Sequence, residues 1–215
     1  MGMRRKKEFR RATRSWVALL LLAAGCLLPG LIPGRAVSVP TGVEALLTQV
    51  LTEETDPARI TFVRTACGLV GKVGYFWGGK SHVMGWNPQW GWFRRVTAKG
   101  SESSGKLRCY GLDCSGFVSW AAITAWRDTS VYDTVGEGVK TQYANCAPIT
   151  DPRPGDLAFF GDLSHVGIVL GRDGSGCLWV GHCSASRKGV VVTPASVGFS
   201  IYGTPAIFDG QEGSS

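Results

Sequence analysis

The chain has 215 residues, of which 44% are hydrophobic and 18% charged, a composition typical of a folded globular protein. Its formal charge of +7 arises before residue 36, where eight Lys and Arg residues stand against one Glu. From Ala36 onward fifteen basic residues meet fifteen acidic ones, so the main body lacks the excess positive charge that phosphate contacts require, and we expect no nucleic-acid partner.

Residues 1–36 have the pattern of a signal peptide or an N-terminal membrane anchor. A basic cluster precedes an apolar run from Trp16 to Ala24, as in the hydrophobic region of a secretory signal. Three outcomes are open: cleavage after Ala36, lipoprotein processing at Cys26, or an uncleaved anchor that ends at Ile32. All three place the rest of the chain outside the plasma membrane, because the basic flank stays inside. We expect membrane contact only through this segment.

The remaining residues have the size of one domain. We predict a linker and short helix over residues 37–56, a domain over 57–209 and a tail over 210–215. Apolar spacing predicts helices at Val43–Leu51, Pro57–Val70 and Cys114–Trp126, with Asp56 and Asp113 as N-caps of the second and third.

The second half of the domain predicts strands rather than helices. β-Branched and aromatic runs bounded by Gly, Pro, Asp or Ser indicate one antiparallel sheet, with strands at 156–160, 165–170, 177–183 and 190–193. Helices followed by a sheet predict an α+β fold. A tight turn at Asp173-Gly174 would set His165 directly opposite His182 and send Val166 to the core on the other face.

Cys114 combines the features of a thiol nucleophile. It begins a predicted apolar helix, whose N-terminus can lower the pKa of a thiol, and two of the three histidines follow on predicted strands. No Cys-x-x-Cys spacing occurs, so no zinc site is expected. We also expect no cofactor.

Five short motifs occur in an order that resembles the NlpC/p-sixty cysteine peptidases of bacterial cell walls, a compact papain-like family. They are Tyr-Phe-Trp-Gly-Gly at 75–79, Asp-Cys-Ser-Gly at 113–116, Pro-Gly-Asp-Leu-Ala-Phe-Phe at 154–160, His-Val-Gly-Ile at 165–168, and His182. The resemblance extends from about Thr61 to Phe208. It implies a compact domain in which N-terminal helices pack on an antiparallel sheet.

The resemblance also implies roles for single residues. Cys114 would be the nucleophile, His165 the base and His182 the residue that orients it. Tyr75 would face the cleft and contact substrate. Asp113 and Ser115 would bind the amino end of a peptide substrate, although Asp113 can also serve only as a helix cap.

One departure from the family pattern is an insertion over residues 80–110. It contains four aromatic residues, namely Trp86, Trp90, Trp92 and Phe93, and Pro88 predicts a loop. These side chains can form a lid or a surface that stacks on sugars, or a satellite hydrophobic cluster; we favour the cluster.

The resemblance implies an exported peptidase that cuts amide bonds in peptidoglycan stem peptides, at the bond between γ-D-glutamate and the diamino acid. The residues alone indicate only thiol-dependent acyl transfer. An amidase or transpeptidase with the same triad is the alternative within the enzyme class. A non-catalytic wall-binding module of an export or conjugation apparatus is the alternative outside it. Protein partners are not identifiable from the sequence.

Overall fold

The structure is a computed structural model that describes residues 38–209. Within this range five α-helices precede or interrupt the strands: α1 (Thr41–Val50), α2 (Pro57–Cys67), α3 (Cys114–Trp126), α4 (Val131–Val135) and α5 (Val139–Ala144). Short 3₁₀ turns occupy Ala195–Val197 and Ala206–Phe208. None of the helices in residues 38–209 has both the length and the apolar character needed to cross a membrane.

In the part of the chain that the structure describes, eight strands form two antiparallel sheets. A small hairpin pairs β1 (Phe93–Arg95) with β2 (Leu107–Cys109). The main sheet has six strands in the order β3-β8-β4-β5-β6-β7, which are β3 (Cys146–Ile149), β4 (Leu157–Phe160), β5 (Val166–Arg172), β6 (Leu178–Ser184), β7 (Gly189–Pro194) and β8 (Phe199–Pro205). The predicted α+β class, with helices on an antiparallel sheet, is confirmed.

Two side-chain caps fix where the main helices begin. The Asp56 carboxylate accepts a 2.8 Å hydrogen bond from the Ala58 N–H, with Pro57 at the first position of α2. The Asp113 carboxylate accepts a 2.7 Å bond from the Gly116 N–H at the start of α3. Both bonds satisfy N–H groups that the helix itself leaves without partners. The predicted caps are therefore present, and α3 has its predicted bounds.

Helix α3 lies at the centre of the core. Its first ten residues are all buried, so it is apolar around its whole circumference rather than along one stripe. It packs against α2, α4, β5 and β6. Val166 shares the main hydrophobic cluster with Phe117 and Trp120, as the strand alternation predicted. A buried helix packed on several sides holds its first residue, Cys114, in a fixed place.

The predicted pairing of the two histidine strands was wrong by two residues. Ile168 pairs with Gly181. Continued by one residue, this register sets Gly167 opposite His182, and His165 lies just before the start of β5. The difference arises because the connection between β5 and β6 is five residues long and the register shifts between Val169 and Gly171. A shift of two residues preserves the face to which a side chain points. The histidines still share one face, as diagonal neighbours.

The insertion is not the continuous loop that Pro88 predicted, because it folds partly into the β1–β2 hairpin. Trp86 and Trp90 are each only 6% exposed and belong to the main core, where the Trp90 ring lies 5.7 Å from that of Trp120. Trp92 and Phe93 are 64% and 55% exposed. The hydrophobic-cluster interpretation therefore holds for Trp86 and Trp90 but not for Trp92 and Phe93.

The Pro-Gly-Asp motif is part of the framework. The buried Asp156 carboxylate accepts hydrogen bonds from Arg59 on α2 at 2.8 Å and from the Thr204 hydroxyl on β8 at 2.9 Å. Removing one partner of such a buried pair costs about 3 to 5 kcal/mol. This ion pair joins α2 to the sheet.

Candidate active site

Cys114 is the first residue of α3 and is 7% exposed. The backbone N–H groups of Val166 and Ser115 are placed to donate to its sulfur. Val166 directly follows His165, so the first residue of β5, next in sequence to the predicted base, interacts with the predicted nucleophile. Helix α3 supplies the thiol and the sheet supplies the imidazole, although the two residues are far apart in the sequence.

The surroundings of Cys114 do not produce a thiolate in the free protein. Burial, and then the Asp113 carboxylate, raise the pKa of the thiol to about 11, although the Val166 N–H, the Lys80 ammonium and the Ser115 N–H oppose the rise. The pKa reduction expected from the helix N-terminus is therefore outweighed. Loss of hydration destabilises a buried anion more than these partial charges stabilise it.

His165, His182 and Thr193 form a hydrogen-bonded chain across three elements. His165 Nε2 lies 2.7 Å from His182 Nδ1, and His182 Nε2 lies 3.1 Å from the Thr193 hydroxyl on β7. If His165 Nδ1 is to accept a proton from the thiol, its Nε2–H must donate to His182 and the Nε2–H of His182 must donate to Thr193. One tautomer of each ring satisfies the whole chain.

Thr193 was not identified from the sequence. It lies on β7 two residues beyond Val191, which is directly opposite His182. Its side chain therefore points to the same face as the His182 ring. Strand alternation alone could not identify Thr193, because its position relative to His182 depends on how β6 pairs with β7.

Both histidines are neutral in the folded protein at neutral pH. Burial lowers the pKa of His165 to about 4, against an opposing contribution from Asp113. Burial, with smaller contributions from His165 and Arg187, lowers the pKa of His182 to about 3. The rings also pack against Phe199, with centroid distances of 5.7 Å and 5.3 Å respectively. The resting site thus holds a neutral thiol and two neutral imidazoles, and a neutral imidazole is able to accept a proton.

These pKa values predict that acid destabilises the fold. In the unfolded chain each histidine titrates near pH 6.5, so between that pH and about 3 the unfolded state binds more protons than the folded state. Stability is expected to fall by several kcal/mol, with an upper limit of about 8 kcal/mol, as the pH decreases through this window. Urea unfolding at pH 7 and pH 4 measures the loss. The His182→Asn variant has one buried histidine fewer and should lose less; an equal loss would contradict the assignment.

Tyr75 lies near Cys114, the predicted nucleophile. Its backbone forms a bridge with Leu112, two residues before Cys114. Burial, followed by the negative charges that Cys114 and Asp113 can carry, raises the pKa of its hydroxyl. The phenol is therefore protonated and able to donate a hydrogen bond at the site, as the predicted contact with substrate requires.

Asp113 and Ser115, the two other residues predicted to bind substrate, have an internal partner. Lys80 Nζ lies 2.6 Å and 2.7 Å from the two Asp113 carboxylate oxygens and 2.7 Å from the Ser115 hydroxyl. Asp113 is thus both the helix cap and half of an ion pair. A substrate amine would have to share these oxygens with Lys80.

Comparison with solved structures finds several proteins of similar topology. One is the peptidoglycan hydrolase RipB of Mycobacterium tuberculosis, at 24% identity over 92% of this chain and 84% of that one, with a TM-score of 0.47. Another is the NlpC/p60 domain of the peptidoglycan hydrolase SagA, at 22% identity over 68% and 97%, with a TM-score of 0.44. A third is RipA, at 21% identity over 69% and 61%, with a TM-score of 0.45.

No curated protein matches the sequence closely. The model of the NlpC/P60 family matches residues 72–177, a range that includes Tyr75, Cys114 and His165. The family predicted from the five sequence motifs is thereby confirmed for this part of the chain: residues 72–177 belong to the NlpC/P60 family.

Proposed function

We propose that this NlpC/P60 protein is a cysteine peptidase that hydrolyses amide bonds in peptidoglycan stem peptides, at the bond between γ-D-glutamate and the diamino acid. The observation that carries the proposal is the placement of the Cys114 thiol at the start of a buried helix, next to β5, with His165 bonded through His182 to Thr193. Family membership supports the substrate class. The choice of bond rests on the family resemblance.

The proposed reaction begins with proton transfer from the thiol of Cys114 to Nδ1 of His165. The sulfur then attacks the scissile carbonyl carbon, and the negative charge that develops on the carbonyl oxygen is stabilised by the Cys114 N–H, which faces outward from the first turn of α3. The imidazolium of His165 gives its proton to the leaving amine, so the C–N bond breaks and a thioester remains.

Hydrolysis of the thioester completes the cycle. His165 is neutral again after the amine leaves and removes a proton from a water molecule that attacks the thioester carbonyl. The C–S bond breaks, the carboxylic acid is released and Cys114 regains its proton. His182 and Thr193 keep the His165 ring in one tautomer through both half-reactions.

Purified muropeptides incubated with the protein and analysed by mass spectrometry test this proposal. We expect products that are shortened after the second residue of the stem peptide, and none of them when Cys114→Ala is used. An amidase would instead separate an intact stem peptide from the sugar, and a transpeptidase would make cross-linked products. Absence of any product would contradict a hydrolytic function on this substrate.

We also propose that the domain acts outside the plasma membrane. This rests on the basic cluster and apolar run of residues 1–36, which lie outside the described residues. Fractionation of the source cell provides the test, and recovery of the full-length protein in the cytosol would contradict export.

A further inference from the structure

The ion pair between Lys80 and Asp113 is largely withdrawn from solvent at the edge of the catalytic centre. The two side chains are only 19% and 11% exposed. All three protons of the ammonium group have acceptors, since Nζ lies within 2.7 Å of both Asp113 oxygens and of the Ser115 hydroxyl. Lys80 is therefore held in one place, unlike a lysine on an open surface.

The backbone around Lys80 is also fixed. The Tyr110 hydroxyl donates to the carbonyl oxygen of Lys80, and the Asp113 N–H donates to the carbonyl oxygen of Gly79 at 3.0 Å. The lysine stem crosses the first turn of α3 at Gly116, where a Cβ atom would lie 2.1 Å from the Gly79 oxygen and 3.1 Å from Lys80 Cδ. Glycine at 116 thus permits the insertion to begin against the catalytic helix.

The Asp113 carboxylate has two effects at this site: it caps α3, and it opposes ionisation of Cys114. As the cap of α3 its carboxylate is buried next to Cys114. That negative charge opposes ionisation of the neighbouring thiol, whereas the positive charge of Lys80 favours it. Because the two charges lie within 2.7 Å of each other, the charge of Lys80 partly offsets that of Asp113 at the sulfur.

We propose that Lys80 is a positioning residue of the catalytic centre, whose ammonium group offsets the charge of the Asp113 carboxylate, so that this helix cap opposes ionisation of Cys114 less than an unpaired carboxylate would. The inference rests on the proposed thiol chemistry but not on the identity of the substrate. Lys80 touches neither the sulfur nor the reacting bond; it acts through Asp113.

Other titratable groups around the site remain the same in the test. Tyr75, in the loop after α2, and Cys183 on β6 interact electrostatically with Cys114, while His165 interacts with Asp113 and is bonded to His182. Any change in the ionisation of Cys114 that depends on the charges at 80 and 113 is therefore measured against a constant background.

The rate at which iodoacetamide alkylates Cys114 in the full-length protein, followed as a function of pH by peptide mass spectrometry, tests the proposal. Lys80→Met leaves the acid without its counter-charge, so the midpoint of the profile should rise by about one pH unit and alkylation at pH 7 should slow roughly tenfold. Lys80→Arg keeps the charge and should stay within about half a unit of the parent protein.

Variants at Asp113 test the opposite change in charge, which should shift the midpoint of the profile in the opposite direction. Asp113→Asn leaves an unpaired cation near the sulfur and should lower the midpoint, while asparagine still caps the helix. In the double variant Lys80→Met with Asp113→Asn, both charges are gone and the midpoint should return close to that of the parent. A merely structural role for Lys80 predicts no shift of opposite sign and no recovery in the double variant.

Either of two outcomes overturns the inference. One is a profile for Lys80→Met that superimposes on the parent profile. The other is a double variant that is as slow as Lys80→Met alone. If Lys80→Met does not fold, the downward shift in Asp113→Asn and the recovered midpoint in the double variant still decide the question. Alkylation requires no peptidoglycan, so a wrong substrate assignment would not affect the result.

Discussion

Replacement of Cys114 by alanine or serine is expected to abolish hydrolysis of stem peptides, with a loss of at least about 10³-fold in turnover. The reason is chemical: alanine has no nucleophile, and the serine hydroxyl is far less acidic than a thiol beside the same neutral His165. Unfolding free energy should change by only about 1 kcal/mol, because the helix cap by Asp113 and the core contacts of α3 remain. Muropeptide turnover and urea unfolding measure the two effects.

Cys183→Ala is the matched control for this experiment. Cys183 is also buried, and its thiol lies 3.1 Å from the Leu112 carbonyl oxygen, close to Cys114. It does not begin a helix, so its loss should affect packing rather than catalysis and should leave measurable turnover. Parent-level turnover in Cys114→Ala, or complete loss in a folded Cys183→Ala, would show that the nucleophile is assigned to the wrong cysteine.

Loss of His165 should be as damaging as loss of Cys114. His165→Ala removes the group that accepts the thiol proton and later protonates the leaving amine, and no other imidazole is bonded so that it can replace it. We expect a decrease in kcat of at least about 10³-fold. The pH profile of Cys114 alkylation should change in the same variant, because the proton acceptor next to the thiol is missing.

His182→Asn separates orientation of the base from proton transfer. The amide oxygen of asparagine can accept the Nε2–H of His165 in place of His182 Nδ1, so the tautomer is kept while the bond to Thr193 is lost. Activity should fall by roughly 10- to 100-fold and remain measurable. A loss as complete as in His165→Ala would mean that His182 takes part in proton transfer itself.

The sequence by itself determined the local features of this protein. The cap at Asp113, the bounds of α3, the position of Cys114 at the start of that helix and the face of β5 on which Val166 lies all depend on residues within a few positions of one another. Helix caps and strand alternation are short-range properties, so each can be derived from a short stretch of chain. The motif order was sufficient to identify the family.

Tertiary structure decided the properties that depend on distant residues. A bulge and a five-residue connection set His165 diagonally to His182, and the pairing of β6 with β7 added Thr193 to the chain. Burial, which no local pattern specifies, reversed the expected effect of the helix N-terminus on the Cys114 thiol. The Lys80 contact crosses 33 residues of sequence. The protonation states and ion pairs at this site depend on which side chains the fold buries and which charges it brings together, because the energy of a charge depends on its complete three-dimensional surroundings.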